Sequence, residues 1–129
     1  MSEKNNEETS GEMITRTLAM PADTNPDGDI FGGWVLSQMD IAGGILTKKV
    51  ANGRTVTIAL DSMVFHLPVF VGDVLCCYGE VLKTGRTSIT VKIDAYARRQ
   101  YQDERVKVTE GIFTYVHVDE ERRPKPLPK

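Results

Sequence analysis

Residues 34–50 read WVLSQMDIAGGILTKKV, and the reading of this stretch decides the fold. Val35, Met39, Ala42, Leu46 and Val50 recur at intervals of 4, 3, 4 and 4, which is one face of an α-helix. Trp34, Ile41 and Ile45 make a second apolar stripe beside it. Charge enters only at Asp40 and at Lys48 and Lys49, and the lysine pair falls in the last turn, where the helix dipole favours cations. Asn52 and Gly53 supply the stop. A helix apolar on most of its sides has to be surrounded by protein.

Working outward, residues 13–20 (MITRTLAM) suit a short first strand, ended by Pro21. The segment ADTNPDGDIFGG, dense in Asp, Asn, Pro and Gly, is a structured loop by composition. Beyond the helix the chain reads as strand. Residues 54–67 are rich in Val, Ile, Thr and Phe, and Pro68 ends them. Residues 74–82 form a third strand, and KTGR turns the chain. Ile89, Val91, Ile93, Ala95 and Ala97 then alternate with Thr90, Lys92, Asp94, Tyr96 and Arg98, a clean period of two. Residues 106–118 are the fifth strand. Short turns predict antiparallel neighbours. The economical arrangement is α+β: a curved antiparallel five-stranded sheet wrapped around one long central helix, the hotdog fold. The sheet covers the helix on one side only, so an apolar flank stays exposed and a dimer is the natural remedy.

Composition bounds the function. At 129 residues the chain is one domain's worth, expected at 13–118. It is flanked by a polar, acidic leader at 1–12, read as disordered, and a proline-rich extended tail at 119–129. Residues 1–12 carry one Lys and four Glu and residues 119–129 carry four basic and three acidic groups, leaving 11 of each sign between them. Nucleic-acid binders show a basic surplus, and none is present here. No apolar run reaches the ~18–20 residues of a membrane span, and the N-terminus is no signal peptide; the expected compartment is the cytoplasm. Cys76 and Cys77, neighbours on a strand, point to opposite faces and cannot readily bridge, which fits a reducing setting.

The chemistry-bearing residues are few. Asp40 is a lone carboxylate in an apolar helix, either a reacting group or an Asp on a solvent-facing sliver or beside an arginine. Gly43 and Gly44 follow it, each costing ~1 kcal/mol mid-helix; they make sense where a ligand or a second helix comes close. Gly32 and Gly33 stand where the helix begins and its free amides point outward, so they form either an oxyanion hole or a flexible junction. Asn25, in an Asp- and Pro-rich loop, is by itself a turn residue. The hairpin Lys83, Thr84, Gly85, Arg86, Thr87, Ser88 offers two cations and hydroxyls that suit a phosphate, or is an ordinary hairpin. His66 and His117 lack partners at metal spacing, so no metal is expected.

NPDGDIFGGWVLSQMD, residues 25–40, closely resembles the signature of hotdog-fold acyl-CoA thioesterases of the YciA-like bacterial branch. FHLPVFVGD at 65–73 and KTGRTS at 83–88 match that family's pattern in order and spacing. The resemblance covers about residues 13–118. It implies hydrolysis of acyl-CoA to free acid and coenzyme A, with no cofactor beyond the coenzyme A of substrate and product. It implies Asp40 as general base or nucleophile, Asn25 positioning water or thioester, and a backbone N–H at Gly32 or Gly33 polarising the carbonyl. It also places Lys83, Gly85, Arg86, Thr87 and Ser88 near the nucleotide. Relatives commonly assemble as a hexamer, a trimer of dimers.

Helix geometry adds a constraint of its own. Gly32 and Asp40 lie ~12 Å apart along one helix, whereas a polarised carbonyl needs its attacker within ~3–3.5 Å. Two antiparallel helices across a two-fold axis satisfy both, which predicts a composite site with Asn25 and Gly32 from one chain and Asp40 from the other. Two rivals remain. One is a hotdog acyl-thioester dehydratase, which needs a His beside a carboxylate where this loop has Asn25. The other is a non-catalytic acyl-CoA-binding sensor, for whose usual DNA-binding domain this chain has neither room nor charge.

Overall fold

Ile89, Val91, Ile93, Ala95 and Ala97 are all fully buried, so the period of two marks the inner face of a central strand. The computed structural model describes residues 11–129. In chain order it contains β1 (Glu12–Leu18), a 3-10 turn (Pro21–Asp23), α1 (Gly32–Ala51), β2 (Thr55–Phe65), β3 (Val74–Thr84), β4 (Ser88–Arg98) and β5 (Arg105–His117). The strands form one antiparallel sheet in the order β1-β3-β4-β5-β2. α1 packs across its inner face and touches all five strands. This is the expected α+β architecture.

One connection differs from the expectation that short links join neighbours. β3–β4 and β4–β5 are hairpins, but β2 and β3 are separated by the width of the sheet. The link through His66, Pro68 and Phe70 crosses its end, because β2 pairs with β5 while β3 pairs with β1 and β4. The leader expected at 1–12 falls mostly outside the described residues, and Glu12 belongs to β1, where its carboxylate lies 3.6 Å from Lys49. The tail after β5 is extended but docked. Lys125 N–H bonds the His117 carbonyl, Leu127 N–H bonds the Arg86 carbonyl, and Leu127 packs on the core. His117 is buried beneath it and donates from Nδ1 to the Pro126 carbonyl at 3.1 Å.

Val35, Met39, Ala42 and Leu46 are buried as the helical period requires. Val50 is not, at 36% exposed, while Ala51 next to it is buried, as are Gly43 and Thr47 to the side of the stripe. Asn52 takes the left-handed conformation (φ 51°) that stops the helix, as expected. Ile41 and Ile45 remain about half exposed, as do Ile58 and Val64 on β2, an edge strand. This is the uncovered apolar flank. Both cysteines are buried as free thiols, and burial pushes the Cys77 thiol up to about 11.

The crossing link is anchored by charge. Asp73 is buried and pairs with Arg99 at 2.5 Å, while its carboxylate also accepts from Phe70 N–H at 2.9 Å. The Arg99 guanidinium stacks on the Phe70 ring at 4.8 Å. Truncating one partner strands the other, at a cost of about 3 kcal/mol. Asp73→Ala is therefore expected to lower the unfolding free energy by about that much, read by urea denaturation at fixed protein concentration.

Candidate active site

Thr57 on β2 and Tyr115 on β5 are directly opposed in the strand register, and both side chains turn inward towards α1. There they meet Asp40. Thr57 Oγ1 donates to Asp40 Oδ1 at 2.7 Å, and the Tyr115 hydroxyl reaches the same oxygen at 2.7 Å and the Asp40 backbone carbonyl at 2.9 Å. Farther along the helix, Thr47 and Thr55 share a buried hydroxyl–hydroxyl bond of 2.9 Å. The strand period of two and the helix period thus place two polar rungs between α1 and β2.

The carboxylate is half-buried, with both donors on Oδ1. Among the described residues no donor reaches Oδ2. Burial, and then the hydrogen bond to Asp40, push the Tyr115 phenol well above its usual range, so it stays a proton donor through neutral pH. Two clefts meet at Asp40. One, of about 340 Å³, is lined by Ile41, Gly44, Ile45, Lys48 and Thr57 among others. The second, of about 260 Å³, runs past Gly33, Leu36, Leu60 and Phe113.

The structure unites some of the expected residues and separates others. Gly33 shares a cleft with Asp40. Gly32 and Gly33 open α1, and their amide N–H groups find no backbone acceptor among the described residues, so both remain available to an incoming oxygen. Neither cleft at Asp40 includes Asn25 or any of Lys83, Gly85, Arg86, Thr87 and Ser88. The Asn25 side-chain oxygen accepts from the N–H groups of Asp27 (2.9 Å) and Asp29 (3.1 Å), so its oxygen builds the loop turn and only its amide NH₂ faces outward chemistry. The hairpin 83–88 is exposed except for half-buried Thr87 and Ser88 and is held from beneath, with Thr87 and Arg86 carbonyls accepting from His117 and Leu127. No group of three or more His, Cys, Asp or Glu among the described residues is placed to hold a metal ion.

Sequence reasoning passed over Thr57 and Tyr115. Each looks like an ordinary strand residue, and only the register of β2 against β5 brings them together. At Gly43 the structure shows a reason that the sequence did not offer. A Cβ there would collide with the Tyr115 hydroxyl and lie 2.8 Å from its Cζ, so Gly43 is what lets the tyrosine reach Asp40.

Comparison with known proteins supplies the family. The family model described as "Thioesterase superfamily" matches residues 27–103. The chain belongs to the thioesterase superfamily. The acyl-CoA thioester hydrolase YciA of Salmonella typhimurium is 52% identical over 121 residues, covering 92% of this chain and 91% of that protein. Among solved thioesterases, a hexameric one from Yersinia pestis superposes with a TM-score of 0.89 at 53% identity, covering 93% of this chain and 98% of its own. A hexameric broad-specificity acyl-coenzyme A thioesterase superposes at 0.91 with 48% identity, covering 100% and 89%. An aspartate-to-alanine mutant of that enzyme has also been solved.

The two adjacent glycines of the thioesterase helix make a controlled comparison. Gly43→Ala is expected to lower both thermal stability and any turnover, by forcing Tyr115 off Asp40. Gly44→Ala, whose Cβ would meet only the Lys48 ammonium at 3.7 Å, is expected to keep the melting temperature or raise it. Melting curves of the two variants check this.

Proposed function

We propose that this chain hydrolyses acyl-CoA thioesters to a carboxylic acid and coenzyme A, with Asp40 as the reacting carboxylate. The carrying observation is that Asp40 stands in a cleft with one oxygen held by two hydroxyls and the other open, in a chain about half identical to named acyl-CoA thioester hydrolases. In this reading the thioester oxygen sits at the first amides of α1, where free N–H groups and the positive end of the dipole stabilise developing negative charge. Asp40 takes a proton from a water that attacks the carbonyl, the tetrahedral intermediate collapses, and coenzyme A leaves as its thiolate and is then protonated. Direct attack by Asp40, giving an anhydride that water opens, reaches the same products. The slot lined by Leu36, Leu60 and Phe113 suits an apolar acyl chain, and the cations Lys83 and Arg86 suit the phosphates of coenzyme A. No metal or other cofactor is required.

The reading includes a second copy of the chain. The ~12 Å between Gly32 and Asp40 on one helix exceeds the reach of a single reacting centre. The exposed Ile41 and Ile45 flank Asp40, where a partner helix would bury them. Relatives that crystallise as hexamers support an assembly built from such dimers, as a trimer of dimers. Two buried free thiols and the absence, among the described residues, of a helix able to cross a membrane support a cytoplasmic setting.

Free-thiol release from a panel of acyl-CoAs tests the activity. Asp40→Asn keeps the shape and removes the base, so turnover should fall by ~10²–10⁴; activity near wild type would refute the assignment. The shared site has its own test. Mixing an Asn25→Ala chain with an Asp40→Asn chain should restore one intact site per mixed dimer, and no recovery would sink the composite arrangement.

A further inference from the structure

The Tyr115 hydroxyl is placed with more constraint than a core tyrosine needs. Its ring is buried and stacked on Phe113, with centroids 6.4 Å apart, so the phenol oxygen has little freedom of direction. That oxygen points at Asp40, 2.7 Å from Oδ1 and 2.9 Å from the main-chain carbonyl of the same residue. Reaching both requires a helix position without a side chain, and Gly43 provides it. The Thr57 hydroxyl, by contrast, sits on a short side chain and can turn to other acceptors.

We propose that Tyr115 is a positioning residue for the reaction: admitted by Gly43, its hydroxyl holds Asp40 Oδ1 beside the helix backbone and leaves Oδ2 as the reacting oxygen. The proposal rests on Asp40 being the reacting carboxylate. Tyr115 need not touch the thioester; it acts through Asp40. Burial keeps the phenol protonated, so it donates to the carboxylate through neutral pH. The ionisable side chains that line the two clefts with Asp40 are Tyr115 from β5 and Lys48 from α1 itself; β2 contributes the neutral hydroxyls of Thr55 and Thr57.

The test is the split between kcat and KM for acyl-CoA hydrolysis by the full-length protein. Tyr115→Phe should lower kcat about tenfold with KM unchanged. Installing 4-fluorophenylalanine at Tyr115, which keeps the size of the side chain and cannot donate, should do the same and serves where Tyr115→Phe fails to fold. Installing 3-fluorotyrosine keeps the ring and the donor, so kcat should stay near wild type. An unchanged kcat without the donor overturns the role, and so does an equal fall with 3-fluorotyrosine, because a packing defect does not depend on the donated proton. Wild-type protein that releases no thiol overturns the proposed activity together with this role; active wild type with either of those results overturns the role alone.

Discussion

A carboxylate in the middle of a mostly apolar helix is the constraint around which this molecule is arranged. Burying such a group without partners costs several kcal/mol. The protein meets the demand from the sheet rather than from the helix. Two hydroxyls, directly opposed on neighbouring strands, converge on one oxygen of Asp40. The arrangement depends on the register of β2 against β5, on the inward pleat of both strands and on a glycine one turn further along the helix. Slipping either strand by one residue would turn its hydroxyl to the outer face.

The same geometry explains why the helix has two unlike sides. Its inner side is filled by Met39, Ala42 and Leu46 against the buried row of β4. Its outer side keeps Ile41 and Ile45 exposed next to the carboxylate. A chain optimised to live alone would place polar residues there. The apolar flank and the Asp40 carboxylate share one surface, so closing that surface with another copy would also withdraw the carboxylate from water into surroundings where electrostatic effects are stronger.

Much of this was legible from residue order alone. The 3.6 period of α1 and the 2.0 period of β4 are strong because each element has one face filled with apolar side chains, although Asp94 and Tyr96 on the other face of β4 are buried as well. The hairpin at Gly85 is local chemistry, and Asp40 is visible because charge in an apolar run is conspicuous. The illegible parts are non-local. Nothing near Thr57 or Tyr115 tells which strand lies beside which, and the crossing of β2 to the far edge is decided by global packing. Asn25 was legible as a turn former, and its side-chain oxygen does form that turn. The tail's prolines were legible as extended chain, but its docking under Arg86 uses backbone groups that leave no mark in the residue types.

The strand order has a consequence for how the molecule comes together in time. β3, β4 and β5 are joined by tight hairpins, so their ladders close short loops at little entropic cost. β2 pairs with β5 only after the whole of β3 and β4 has been laid between them in the chain, and such distant pairings are the slow ones. Tyr115 therefore stands on an early platform, whereas Thr57 arrives with a late strand. Until β2 docks, the helix carboxylate has no wall on that side. The pair of hydroxyls on Asp40 is completed by one of the last segments to find its place, which makes the finished cleft, rather than compactness, the late event in the maturation of this chain.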